Sequence, residues 1–148
     1  MTWKSKLPLA AAAVAMAAAQ TSSNAVLTNL DTARWSHDKG DPPGMESVFL
    51  REDARTGGIE LLVRFPAGHV IAPHWHDANE RLIVLEGRMS LRRADGETSL
   101  KAGAFAFLPA REEQRLSCAG DARCTVYLAW DGSPKSHPVS GAGLRPAQ

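Results

Sequence analysis

The sequence lacks a surplus of charge: 17 lysines and arginines stand against 16 aspartates and glutamates, a formal net charge of +1. That balance excludes the basic face with which a protein grips nucleic acid or an anionic membrane. A membrane-spanning run is missing as well. The longest apolar stretch, Leu7 to Ala19, falls short of the ~20 residues needed to cross a bilayer. No helical period recurs beyond that stretch and no segment repeats, which argues against a helical bundle or a solenoid. Cysteine is scarce, with two residues and therefore at most one bridge.

What is present begins with an address. Lys4 and Lys6 form a basic start, the apolar run follows, and small residues come next, the layout of a secretory signal peptide. Cleavage after Ala19 or after Ala25 fits, and residues 1–25 are taken as the segment. Losing Lys4 and Lys6 leaves fifteen basic residues against the 16 acidic ones, a net charge of −1. The expected location is periplasmic or secreted, with no membrane contact after cleavage and no nucleic-acid partner. The remainder is one domain's worth of chain, divided here into an N-terminal arm (26–56), a barrel (57–131) and a tail (132–148) that carries Gly, Pro and Ser and is expected to be mobile.

Within the barrel segment, short strands are punctuated by Gly and Pro turns, so the fold class expected is all-β, a sandwich or jelly roll. Ile59 to Phe65 is a strong strand, and a short one is expected at Val48 to Leu50. Arg81 to Arg93 reads as two strands joined at Glu86-Gly87-Arg88. Ala94 to Glu97 reads as a hairpin turn, and Phe105 and Phe107 share one face of the next strand. Glu112 to Cys118 and Arg123 to Trp130 read as a last hairpin turning at Gly120-Asp121. Cys118 and Cys124 then sit opposite each other, and an oxidising compartment favours their disulfide.

The chemistry gathers between Gly68 and Gly87. In a strand, side chains at i and i+2 leave the same face, so His74 and His76 project together while Trp75 points away. Asp77-Ala78-Asn79 reads as a turn that delivers Glu80 to the same place. Two imidazoles and a carboxylate form a 2-His-1-carboxylate set for one divalent metal ion, with Fe, Mn, Ni, Cu or Zn all compatible.

These residues resemble the first motif of the cupin superfamily: glycine, five residues, His-x-His, three residues, glutamate, six residues, glycine. Gly68, His74, His76, Glu80 and Gly87 keep every spacing. The second motif is half kept. Gly103 and Pro109 match, but Arg111 stands where glycine is usual, Gln114 where the fourth ligand histidine is usual, and Cys118 where asparagine is usual. The resemblance implies a double-stranded β-helix (jelly-roll barrel), a homodimer through the N-terminal strands, and Gln114 at the fourth ligand position. Gln114 either offers its amide oxygen to the ion or its NH₂ to a substrate. Parity along the strand puts Glu112, Leu116 and Cys118 on the face of Gln114, with Glu113 and Arg115 on the other.

Three functional readings follow. The first is an exported metal-dependent enzyme acting on a small organic molecule, with dioxygenase-like oxidoreductase chemistry implied by the resemblance and His69 and Glu112 as catalytic acid/base candidates. Phe105, Phe107, Val84 and Leu116 are its candidate apolar pocket wall. The second is a non-catalytic metal-bound sensor or ligand-binding module, and the third is a barrel whose site is vestigial.

Overall fold

The computed structural model describes residues 25–140 and 143–146; the expected signal segment lies almost wholly outside them. The described chain runs through β1 (Glu46–Asp53), β2 (Gly58–Phe65), β3 (Val70–His76), β4 (Glu80–Glu86), β5 (Arg88–Arg93), β6 (Gly96–Lys101), β7 (Phe105–Leu108), β8 (Gln114–Cys118), β9 (Cys124–Trp130) and β10 (Ser136–Pro138). The strands build two five-stranded sheets, β1-β2-β9-β4-β7 and β10-β3-β8-β5-β6, with every pairing antiparallel. The all-β jelly roll expected from the sequence is the fold found.

Alternation explains why the sheets close on each other. Val63 and Phe65 of β2, Leu82 and Val84 of β4, and Val126 and Leu128 of β9 turn inward to meet Met89, Leu91 and Leu116 from the facing sheet. Burial of each such side chain stabilises the fold by about 1.5–3 kcal/mol. At Gly87, between β4 and β5, φ is 77° and an added Cβ would lie 2.6 Å from the Arg123 carbonyl oxygen, so only glycine fits.

Several expectations need correction. Phe105 and Phe107 do share a face, but it is the outer one: both are exposed, with Arg81 over the Phe107 ring. Val84 and Leu116 lie in the core. β8 and β9 do not form a hairpin. β8 pairs with β3 and β5, whereas β9 pairs with β2 and β4. The Cys118–Cys124 disulfide, with Cα atoms 5.6 Å apart, therefore staples one sheet to the other. The tail is also tied down, through β10 on the edge of β3 and through Arg145, which binds Glu113. That pairing buries Glu113, a residue expected to face solvent.

Candidate metal centre

One end of the sandwich collects the polar residues that the core cannot accept. His74 and His76 end β3, Glu80 opens β4, and Gln114 opens β8; all four are buried. Potential ligand atoms of His74, His76 and Glu80 all lie within 4.8 Å of one another. The disulfide lies at the other end, joining the end of β8 to the start of β9.

A local irregularity aims the first histidine. Ile71 pairs with Leu116 and His74 with Gln114, so β3 spends three residues where β8 spends two. The extra residue falls at Ala72-Pro73, where proline has no N–H to lose from the ladder. The bulge lets Ile71 pack on the core while His74 also faces inward. It also brings the Ala72 carbonyl oxygen 2.8 Å from His74 Nδ1. His76 Nδ1 lies 2.8 Å from the Pro134 carbonyl oxygen. Each carbonyl accepts a hydrogen bond from Nδ1–H, which fixes the tautomer and leaves the Nε2 lone pair for the cluster. Burial pushes both imidazoles below the ordinary histidine range and so favours the neutral form that ligates.

Glu80 is held from the other side. Gln114 Nε2 donates to Glu80 Oε2 at 2.6 Å, and His76 Nε2 lies 3.5 Å from the same oxygen. Burial pushes the Glu80 carboxyl up to about 7, against the opposing pull of the Gln114 hydrogen bond. Asn79 fixes the turn before it, donating from Nδ2 to Asp131 and accepting at Oδ1 from the Ala110 N–H.

The donor set fits a divalent transition metal. A buried carboxylate and two neutral imidazoles converge, and beside them the buried Gln114 Oε1 has no hydrogen-bond partner, which is the donor chemistry a divalent cation would satisfy. The Gln114 amide reaches the cluster through Glu80.

The other candidates separate. Glu112 sits in the turn before β8, where Arg93 Nη1 donates to its carboxylate at 2.9 Å, and it is not part of the three-residue group. The strand parity assumed for it does not apply outside β8. His69 stacks on Phe65, with ring centroids 5.5 Å apart, and lines a cavity of about 350 Å³ that also meets Met45, Ile71, His76 and Trp130. Trp130 packs edge-on against His76 at 5.3 Å. Sequence reasoning missed Trp130 as part of the site, although its position at the end of a strongly apolar strand was visible. The Ala72 and Pro134 carbonyls have no side-chain signal at all. Arg111 keeps the left-handed backbone of the glycine it replaces, with φ 66°, and its N–H donates to the His76 carbonyl. The departure at that position therefore changes the side chain and not the turn.

Residues 61–130 match the family model described as "Cupin domain". A search of curated proteins finds no match. Among solved structures, the polyketide cyclase RemF from Streptomyces resistomycificus superposes with a TM-score of 0.62 at 18% identity, covering 78% of this chain and 86% of that one. The Schizosaccharomyces pombe Cnp3 cupin domain gives 0.62 at 12% identity, covering 72% and 74%. The complex of Rhodobacter sphaeroides SigE with the anti-sigma ChrR gives 0.56 at 21%, covering 70% and 51%. At such identities the likeness concerns the fold.

Proposed function

Residues 61–130 make this chain a member of the cupin superfamily, and from that premise we propose that it is an exported metal-dependent oxidoreductase for a small, largely apolar organic molecule. The observation that carries the proposal is the convergence of His74, His76 and Glu80 beside the cavity that His76 helps to line. A bound divalent Fe, Mn, Ni, Cu or Zn ion would supply Lewis acidity and, for the redox-active metals, a route for O₂ chemistry of the dioxygenase type. This chain's own residues do the rest. The Ala72 and Pro134 carbonyls hold the imidazoles in the ligating tautomer, and Gln114 orients the Glu80 carboxylate. Phe65, Ile71 and Met45 give the cavity an apolar lining that favours an apolar substrate, and His69, which lines it as well, is the acid/base candidate.

A second reading, a metal-bound sensor or ligand-binding module, is favoured by one observation. The position of a fourth imidazole is taken by Gln114, whose NH₂ is engaged with Glu80. The likeness to the complex containing an anti-sigma protein is consistent with it. Elemental analysis after native purification, with oxygen uptake recorded on catechols, flavonols and thiols, separates the two. Stoichiometric iron, manganese or copper with oxygen consumption supports the enzyme; zinc without turnover supports the module. Sub-stoichiometric binding of every ion leaves a vestigial barrel. Export through residues 1–25 and homodimerisation through the N-terminal arm belong to the same proposal. They are tested by N-terminal sequencing of the exported protein and by light scattering.

A further inference from the structure

We infer that the outer face of the second sheet carries a separate binding site for a small molecule bearing a doubly charged oxyanion, built by Arg92 and Arg115. The antiparallel register sets Arg92 of β5 directly opposite Arg115 of β8. Like charges in that relation repel across the strands, and a fold that keeps them gains nothing from them alone.

The nearby acids relieve the repulsion only in part, because none forms an ion pair with either arginine. Glu97 faces Arg92 from β6 but accepts from the Ser90 hydroxyl. Asp95 and Glu112 are both bound by Arg93, and Glu113 is bound by Arg145. Among the described residues, neither Arg92 nor Arg115 has an acidic partner.

Arg92 and Arg115 line a cleft of about 280 Å³ together with Arg93, Pro73, Gly143 and Leu144. At ~30 Å³ per water molecule in the liquid, that space takes a phosphate with a short organic stem. Guanidinium forks match phosphate or carboxylate oxygens in pairs of charge-assisted hydrogen bonds. Bound there, one dianion neutralises both positive charges. The site is not the metal centre. Arg115 follows Gln114 in sequence but leaves β8 on the opposite face, so Gln114 points into the barrel and Arg115 away from it.

The test uses the mature chain titrated with sodium phosphate, against sodium chloride at matched ionic strength, followed by thermal unfolding and calorimetry. Phosphate is expected to raise the unfolding temperature beyond the chloride effect. Arg92→Gln and Arg115→Gln are each expected to weaken phosphate binding at least about tenfold. Arg123→Gln, in the connection between β8 and β9, is expected to leave it unchanged. In chloride alone, Arg115→Gln should unfold no earlier than the parent, because it removes the opposed charge. Glycerol phosphate that binds more tightly than inorganic phosphate identifies an organic ligand, and equal binding identifies the free anion. Equal effects of phosphate and chloride overturn the inference. So does a phosphate response that survives the Arg92→Gln/Arg115→Gln double substitution.

Discussion

A carboxylate placed where water cannot reach it is a cost to the fold until something positive arrives, and Glu80 is that group. Its folded-state value of about 7 lies above its ordinary 4.5. In the metal-free protein the associated stability is therefore present below pH 4.5 and is lost as pH rises through 7, a change of about 3 kcal/mol. His74 and His76 are depressed, so their contribution has the opposite slope: it is present above 6.5 and is lost as pH falls through their folded values. Comparing the metal-free parent with Glu80→Gln isolates the carboxylate together with its contact to the His76 ring. Denaturant unfolding at pH 5 and pH 8 should show Glu80→Gln gaining on the parent at the higher pH, and equal pH slopes would refute the assignment. Metal affinity should run the other way and strengthen up to and above pH 7, since ligation needs the ionised acid. At Gln114, replacement by histidine restores a stronger donor and should tighten metal binding on the order of tenfold in chelator competition. Unchanged affinity would mean that the side chain does not reach the ion. The three candidate ligands were legible because period-two alternation and a turn of fixed length are local facts. The carbonyls of Ala72 and Pro134 were not, because backbone oxygens are alike in every sequence and only the bulge and the returning tail select these two.

At the scale of elements, the sequence showed where strands begin and end better than it showed which strands meet. Alternation tells that Phe105 and Phe107 share a face; only pairing with Arg81 and Ile83 tells that the face is outside. Likewise Gly120-Asp121 marks a reversal, yet the chain reverses from one sheet into the other, because β9 finds its partners in β2 and β4, far back in sequence. That topology gives the disulfide a different task from closing a hairpin. The bridge restrains the two sheets at the end remote from the cluster. Reduction, or the Cys118→Ser/Cys124→Ser pair, should lower stability by about 2 kcal/mol, the chain-entropy value for so short a loop. Metal affinity should stay within about twofold, as distant sites act independently. Guanidinium unfolding with and without reductant, paired with chelator competition, measures both. A large loss of affinity would show that the disulfide end and the metal end are mechanically linked.

For the whole molecule, the informative feature is that the chain returns to its own site after the barrel is finished. Past Trp130, the Pro134 carbonyl accepts a hydrogen bond from His76 Nδ1–H and Ser136–Pro138 covers the edge of β3. His137 stacks on Trp75 at 3.9 Å and bonds Asp77, holding that carboxyl below its usual range. Gly, Pro and Ser composition suggested a loose tail because it reports local backbone freedom and not what a segment finds to bind. The candidate metal centre is thus completed by residues outside the stretch that bears its motif. Two shortened chains separate the contributions, one ending at Ser140 and one at Asp131. The first keeps β10 and the Pro134 carbonyl and should bind metal as the full chain does. The second frees the His76 ring to turn and bares the edge of β3. Its metal affinity should fall about 10–100-fold, the usual effect of removing a partner that orients a ligand, while circular dichroism still reports the β-barrel. Undiminished affinity in the shorter chain, with the barrel intact, would show that the Pro134 carbonyl does not set the His76 tautomer.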